Sequence, residues 1–228
     1  MSTTESESFR EIPSAQEKAP TFDRGNSHDL PPVSQERPVA PAKLRILATA
    51  NQLFYGDGIR SVGIDRLIGE STVTKATFYK HYGSKDRLIL EYIAQRHAAA
   101  VQAMGTLIAE SSSPEYALRR LIEQIATEVL APGFRGCPFI NAAVEFPDPH
   151  HALRRVVSEH RGWYTATISK LMLQIGHSLP GEAADDFVLA RDGAMSGGYA
   201  SDPVAASTAF VRIASRLLEA DHGLTARG

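Results

Sequence analysis

The sequence is short of cysteine and of long apolar runs. A single cysteine, Cys137, occurs in 228 residues, which rules out a disulfide within one chain and is typical of a reducing compartment. No stretch reaches the roughly eighteen consecutive apolar residues of a transmembrane helix. The first residues, MSTTESESFR, lack the basic start and apolar stretch of a secretion signal. These absences predict a soluble, cytoplasmic protein with no membrane partner.

Motifs that serve common catalytic chemistries are also missing. The sequence contains no CxxC pair, no glycine-rich phosphate loop and no recognisable Ser/His/Asp arrangement. We therefore expect neither an enzyme nor a cofactor. One group of potential metal ligands surrounds a turn: Glu145, Asp148, His150 and His151. Adjacent histidines at a helix start point about 100° apart and cannot readily share one ion, so a metal sensor stays an alternative only.

Net charge is small but unevenly distributed. The whole chain carries −2, yet residues 41–90 hold eight Lys and Arg against four Asp and Glu, a net charge of +4. Residues 1–40 and residues 91–228 each carry −3. A local positive excess of this kind is typical of a small DNA-binding segment joined to a body that does not touch DNA.

Composition divides the chain into a tail and a helical remainder. Residues 1–40 are rich in proline, serine and glutamate and cannot bury enough apolar surface to offset their ordering entropy, so we expect a disordered tail. From Pro41 onward, apolar residues recur at helical spacing and no strand pattern of any length occurs. The sequence predicts an all-α chain of nine helices, with one domain over residues 41–88 and a helical body over residues 89–228.

Residues 61–85, SVGIDRLIGESTVTKATFYKHYGSK, are the most informative part of the sequence. They predict a short helix, a break at Ser71-Thr72-Val73, and a second helix capped by the side-chain oxygen of Thr74. The inward positions share helical spacing and are Ile64, Leu67 and Ile68 in the first helix and Phe78 and Tyr82 in the second. The second helix keeps a donor-rich, cationic outer face, which suits the major groove of DNA.

These residues resemble the DNA-binding domain of TetR/AcrR-type transcriptional regulators. The resemblance covers about fifty residues and runs through Gly58, Ile64 to Ile68, the stretch VTKATFYKHY from Val73 to Tyr82, and SKDRL from Ser84 to Leu88, with Ile46, Leu47, Ala50, Leu53 and Phe54 in the preceding helix. Two positions depart from the family pattern. Thr72 stands where the family usually has glycine in the turn, and Gly63 stands where Ser or Thr commonly caps the second helix.

The resemblance implies a role for each exposed residue of the recognition helix. Thr74, Lys75, Ala76 and Thr77 are expected to contact base edges, because they lie at the helix start. Tyr79, Lys80, His81 and Lys85 are expected to contact phosphates, which position the protein without specifying sequence. The expected partner is a pseudo-palindromic, double-stranded DNA operator read by a homodimer.

The helices after Ser84 exceed what a helix-turn-helix needs, and in this family they form a body that dimerises and encloses a pocket. The last two helices, expected over about 182–199 and 203–221, carry the residues that fit a dimer interface. These are Gly193, Ala194, Ser196, Gly197 and Gly198 in the first and Ala205, Ala206, Ala209, Phe210, Ile213 and Leu217 in the second.

The stretch from Arg135 to Phe146 resembles a segment of the ligand-binding body in one branch of these regulators. An apolar pocket for a small, apolar effector is expected from Phe134, Phe139, Phe146 and Trp163, with Asn141 or Tyr164 orienting a polar ligand atom. Cys137, near a helix start, has two interpretations: a buried inert thiol or a reactive one that senses electrophiles.

The sequence therefore predicts a homodimeric regulator of transcription, most simply a repressor released by a small ligand. Two alternatives stay open. One is a DNA-binding regulator with a filled body and no inducer, and the other is a metal or thiol sensor built on Glu145, Asp148, His150 and His151 or on Cys137.

Overall fold

The computed structural model describes residues 40–219, and these residues form nine α-helices and no strand. The bounds are α1 Pro41–Asp57, α2 Ile64–Glu70, α3 Lys75–Tyr82, α4 Lys85–Ala109, α5 Pro114–Leu130, α6 Pro138–Glu145, α7 Ala152–Gln174, α8 Pro180–Ala200 and α9 Pro203–Glu219. The all-α prediction is confirmed. The predicted disordered tail over residues 1–40 lies outside the described residues, apart from Ala40.

Several helices begin where the sequence places a cap. Proline opens α1, α5, α6, α8 and α9, at the first turn where its missing N–H has no helical partner. Ser84 and Ser113 accept hydrogen bonds from the backbone N–H groups of Arg87 and Tyr116, which caps α4 and α5. Asp86 adds a carboxylate to the first turn of α4, where the helix dipole favours negative charge.

Two predicted starts are early by one or two residues. We expected α6 to begin at Cys137 and α7 at His150, but Cys137 and His151 are the residues before each helix. His151 acts as a cap, because its Nδ1 accepts a hydrogen bond from the N–H of Leu153 at 3.2 Å. A capping residue has non-helical dihedral angles, so the helix proper starts after it.

Helices α1 to α3 pack around a small apolar core, and α4 connects this core to the body. Phe78 and Tyr82 of α3 are buried against α1, which contributes Ile46, Leu53 and Phe54. In the body, α8 packs along both α7 and α9, and α5 packs against α9. No helix between residues 40 and 219 is long and apolar enough to cross a membrane.

Candidate functional site

The outer face of α3 carries the residues predicted to reach DNA. Thr74 precedes the helix and its Oγ1 accepts a hydrogen bond from the N–H of Thr77 at 3.2 Å, which confirms the predicted cap. The Oγ1 atoms of Thr74 and Thr77 lie 2.9 Å apart, so the two hydroxyl groups are hydrogen-bonded to each other. The exposed residues are Thr74, Lys75, Ala76, Tyr79 and Lys80, and Thr77 and His81 are half-buried. This face offers hydroxyl, ammonium and backbone donors from one end of a short helix.

The turn between α2 and α3 holds a threonine in a left-handed conformation. Thr72 has φ of +51°, and it is the one non-glycine residue among those described that has positive φ. The N–H of Thr72 donates to Gly69 O at 3.2 Å, and the N–H of Val73 donates to Ile68 O at 3.3 Å. This pair of bonds defines a Schellman motif, whose left-handed position is usually glycine. The turn that aims α3 therefore keeps its geometry although Thr72 carries a β-branched side chain.

Lys85 occupies a less open position than the sequence predicts. Its Nζ lies 3.5 Å from the carbonyl oxygen of Arg60 and 5.9 Å from the ring centre of Phe54. Partial burial lowers its pKa, while the carboxylates of Glu145 and Asp86 act in the opposite direction. The ammonium group thus holds the α1–α2 loop, and any phosphate contact would use its remaining donors.

Two side chains join the helix-turn-helix to the body. Glu145, at the end of α6, accepts hydrogen bonds from the backbone N–H of Ile59 at 2.9 Å and from that of Arg60 at 2.7 Å. The Tyr55 hydroxyl donates to Gly136 O at 3.0 Å and accepts from the N–H of Arg135 at 3.0 Å. Both ends of the segment that contains α6 are therefore tied to the α1 region.

The predicted group of metal ligands does not form a cluster: in the described part of the chain, no three His, Cys, Asp or Glu side chains converge. Besides Glu145, Asp148 accepts a hydrogen bond from the N–H of His150 at 2.9 Å. His151 caps α7, and its ring packs on Phe146 with the centres 4.6 Å apart. Of the four residues proposed for a metal sensor, Glu145 and Asp148 thus accept backbone hydrogen bonds and His151 caps a helix.

The body contains a cavity of about 290 Å³ between α4, α5, α6, α7 and α8. Its walls on α4 and α5 are mainly apolar apart from Arg96, Gln124 and Glu128, and α7 and α8 add the polar side chains of His160, Tyr164 and Arg191. The lining residues are Arg96, Ala99, Ala100, Ala103, Met104, Leu107, Leu121, Gln124, Ile125, Glu128, Pro138, Phe139, His160, Tyr164 and Arg191. This volume is at the lower end of the range of about 300–1,000 Å³ found for small-molecule sites.

Of the seven residues predicted to bind a ligand, Phe139 and Tyr164 line this cavity. The other five lie elsewhere. Asn141 donates from Nδ2 to Arg135 O at 2.7 Å, and Phe146 packs beneath the Arg60 guanidinium, 5.6 Å from its centre. Phe134 lies against α8 near Gly198. Cys137 is buried, and Trp163 packs on the rings of His97 and His160 behind the cavity wall.

Arg96 and Arg191 are the functional candidates that sequence reasoning missed. Arg191 is 14% exposed, and its Nη1 lies 3.2 Å from Asp192 Oδ1 and 3.9 Å from Cys137 Sγ. Arg96 donates from Nη2 to Asn51 O in α1 at 3.3 Å. Both arginines lie at helix positions that the sequence pattern predicts to be exposed to solvent. For Arg191, the one available signal was a charged residue next to the small residues of α8.

His160, which is buried and lines the cavity, pairs with the half-buried His97. The Nδ1 atoms of His97 and His160 are 3.1 Å apart, so one ring donates and the other accepts. The His160 ring stacks on Phe139 with the centres 3.4 Å apart. Burial lowers the pKa of His160 to about 3, and the positive charge of Arg191 acts in the same direction. His160 is therefore neutral at physiological pH.

Helices α8 and α9 leave an apolar groove on the outside of the chain. It is lined by Ala190, Gly193, Ala194, Gly197, Ser201, Asp202, Ala205, Ala206, Ala209, Phe210 and Ile213. Ile213 is 42% exposed, whereas Phe210 is buried with its ring against Phe187 at 5.6 Å. Eight of the eleven residues predicted for a dimer interface line this groove. Ser196, Gly198 and Leu217 do not, and Gly198 is buried where a Cβ would lie 2.4 Å from Val129.

Comparison with known proteins gives a consistent result. The sequence model described as bacterial regulatory proteins, tetR family, matches residues 46–92, which span α1 to the first part of α4. A crystal structure of a TetR-family transcriptional regulator from Streptomyces coelicolor is 38% identical, with a TM-score of 0.76, and the alignment covers 78% of this chain and 95% of that one. No curated protein matches the chain.

Two further structures extend the similarity. A putative TetR-type transcriptional regulator from Streptomyces avermitilis is 25% identical, with a TM-score of 0.69 and coverage of 80% of this chain and 99% of that one. The reduced form of NemR from Escherichia coli is 17% identical, with a TM-score of 0.68 and coverage of 76% and 95%. At that identity the similarity to NemR shows a shared fold.

Proposed function

The chain belongs to the TetR family of bacterial regulatory proteins, and we propose that this DNA-binding transcriptional regulator is a homodimeric repressor released from its operator by a small ligand. The family assignment rests on the 38% identical relative and on the matched residues 46–92. The observation that supports ligand release is a body cavity whose lining residues also contact the DNA-binding helices. A reporter gene placed under the operator that the purified protein binds tests repression: transcription of the reporter should rise when the gene for the regulator is deleted.

Arg96 is the most direct connection between cavity and DNA-binding domain. It lines the cavity, donates to Asn51 O in α1, and places its guanidinium 5.1 Å from the Tyr55 ring centre. Its Nε is buried without a hydrogen-bond partner among the described residues. A ligand that draws this guanidinium into the cavity would weaken its contacts with α1.

Helix α6 provides the second connection. Its first residues, Pro138 and Phe139, line the cavity, and its last residue, Glu145, holds the N–H groups of Ile59 and Arg60. A ligand that displaces the start of this two-turn helix would therefore move the acceptor that fixes the α1–α2 loop. A ligand can shift the equilibrium between states only by its differential affinity for them, which for allosteric proteins is about 1–3 kcal/mol.

The coupling can be tested with Arg96→Met and the matched control Arg155→Met, since Arg155 is exposed on α7. Operator affinity is measured with and without any ligand that binds the body. We expect the wild type and the control to lose about 5–150-fold in operator affinity when the ligand is present. Arg96→Met should still bind the operator but should respond much less to ligand. An unchanged response in Arg96→Met would remove this residue from the mechanism.

We assign base contacts to Thr74, Lys75, Ala76 and Thr77, and phosphate contacts to Tyr79, Lys80, His81 and Lys85. The exposure of Thr74, Lys75 and Ala76 at the helix start supports the first group. Because the hydroxyl groups of Thr74 and Thr77 are hydrogen-bonded to each other, the exposed ammonium of Lys75 is the main candidate for reading sequence, and Thr77 would use its remaining hydrogen-bonding capacity. For Lys85, whose ammonium holds the α1–α2 loop, we expect an alanine variant to lower stability as well as DNA affinity.

A second copy of the chain is the proposed occupant of the α8–α9 groove. Small residues there allow close approach of helix backbones, and Ile213 is an exposed apolar residue on the same face. A reader of two operator half-sites also requires two copies. We expect Ile213→Glu to give monomers in sedimentation experiments and to abolish operator binding at low protein concentration.

The control for this experiment is Val204→Glu, because Val204 is 64% exposed on the opposite face of α9. Phe210→Glu is unsuitable, since burial of Phe210 within the chain means that a charge there would test folding. If Ile213→Glu remains a dimer with unchanged dissociation constant, the groove is not the interface.

A further inference from the structure

One corner of the body cavity combines a buried cation with a buried hydroxyl that has no partner. Tyr164 is 8% exposed and lines the cavity, and its Oη has no hydrogen-bond partner among the described residues. The Arg191 guanidinium lies 4.9 Å from the centre of the Tyr164 ring. Burial raises the pKa of Tyr164 to about 12, so its hydroxyl stays a donor at physiological pH. An unpaired buried donor beside a cation calls for an acceptor from outside the chain.

The charges around this corner leave a positive excess. Asp192 is the carboxylate next to Arg191, but its other oxygen accepts from Arg161 at 2.6 Å, so two guanidinium groups share one carboxylate. Arg96 adds a second cation to the lining, with its Nε also unpaired. The carboxylate in the lining is that of Glu128, which is exposed to solvent and therefore screened.

Away from the charged residues, the walls on α4 and α5 are mainly apolar, with Gln124 as an uncharged polar side chain. Their apolar residues include Ala99, Ala100, Ala103, Met104, Leu107 and Leu121. A ligand that fills the cavity would thus meet apolar side chains from α4 and α5 together with the hydrogen-bond donors of Tyr164, Arg191 and Arg96. Guanidinium groups match the planar, two-oxygen geometry of a carboxylate.

We propose that the ligand is an amphipathic monoanion, with a carboxylate held by Tyr164, Arg191 and Arg96 and an apolar chain or ring against α4 and α5. This inference rests on the proposed ligand release and refines the expected apolar effector by adding a charged end. The cavity volume of about 290 Å³ suits a medium-chain or single-ring acid rather than a large polycyclic molecule.

Two matched probe series test the charge of the ligand directly. The first compares octanoate, 1-octanol and octylamine, and the second compares 3-phenylpropanoate with its alcohol and amine. Binding is measured on the full chain without DNA, by calorimetry and by the fluorescence of Trp163, the sole tryptophan, whose ring lies 5.5 Å from that of His160 in the cavity wall. In at least one series the acid should bind about tenfold more tightly than the alcohol, and the amine should bind least.

Variants then identify the groups responsible. Tyr164→Phe removes only the unpaired hydroxyl, so it should fold as well as the wild type while its affinity for the acid falls about tenfold. Arg191→Gln should remove the preference for acid over alcohol. If Arg191→Gln does not fold, the affinity of Tyr164→Phe for the acid still tests the proposal. Glu128→Gln, at the exposed edge, is the control and should retain or increase the preference for acid.

Equal binding of acid and alcohol, stronger binding of the amine, or no binding of either acid at millimolar concentration would each overturn the inference. Operator affinity is measured separately with each acid that binds. If the acids bind with the expected preference but leave operator affinity unchanged, the ligand class stands and the proposed release fails. If an uncharged compound binds in the cavity and releases the operator, the release stands and the ligand class is wrong.

Discussion

Replacing Thr72 with glycine should stabilise this protein, although a glycine substitution usually lowers the free energy of unfolding. Thr72 holds φ of +51° in the Schellman motif that ends α2. A left-handed conformation costs an L-residue about 1–2 kcal/mol, and a β-branched residue is especially unfavourable there. Glycine adopts this conformation without that steric cost but loses about 0.5–1 kcal/mol more backbone entropy on folding.

The remaining contribution is a local hydrogen bond. Thr72 Oγ1 donates to Ser71 O at 2.8 Å, and because Thr72 is exposed, water can replace this bond in the variant. The net expectation for Thr72→Gly is a gain of about 0.5–1 kcal/mol in the free energy of unfolding. For a chain of this size that corresponds to a rise of roughly 1–4 °C in Tm. Thr72→Asn should give a similar gain, since asparagine tolerates the left-handed region.

The assay is reversible chemical unfolding, supported by thermal melting and by operator titration. Thr106→Gly is the matched control, because Thr106 is exposed inside α4, where glycine should lower stability by several tenths of a kcal/mol. Operator affinity of Thr72→Gly should stay within about twofold, since the hydrogen bonds that set the α2–α3 turn are backbone bonds. Lower stability in both Thr72→Gly and Thr72→Asn would refute the strain argument.

Three other outcomes are expected. Lys75→Ala and Thr77→Ala should each weaken operator binding by about 1–3 kcal/mol and relax the base preference at one position per half-site. Binding to scrambled DNA should weaken less. If both variants still distinguish operator from scrambled DNA as well as the wild type does, the reading surface lies elsewhere. Phe78→Ala should lower the free energy of unfolding by about 3–5 kcal/mol in denaturant titrations, because the side chain is fully buried; a loss below that of an exposed Tyr79→Ala control would contradict the packing. The third concerns His160, whose pKa is lowered to about 3 by burial from an ordinary value of 6.5. The unfolded chain takes up this proton below about pH 6.5 and the folded chain does not until about pH 3, so stability should fall with decreasing pH in that window by up to about 1.4 kcal/mol per pH unit. His160→Leu should remove this dependence when unfolding is measured between pH 7 and pH 5; an identical slope in the variant would assign the proton to another group.

The sequence by itself determined the elements whose signals are local. The cap at Thr74, the inward faces of α2 and α3, and the cap of α4 at Ser84 depend on residues within one or two helical turns of each other. For that reason spacing alone was enough to predict the helix-turn-helix. The sequence also identified Thr72 as a departure from the family's usual glycine, and the structure shows that this residue has positive φ between two flanking backbone hydrogen bonds.

Only the tertiary structure decided how distant residues combine. Glu145 was interpreted as a possible metal ligand, yet it accepts the N–H groups of residues 59 and 60, more than eighty positions earlier in the chain. Arg96 and Arg191 line one cavity although ninety-five positions separate them, and Phe210 is buried against Phe187 of its own chain. Helical periodicity shows which face of a helix is apolar, but it does not show which neighbour covers that face. That choice depends on packing among all the helices at once, and in this chain it also placed the Arg191 guanidinium beside Tyr164, whose hydroxyl is unpaired.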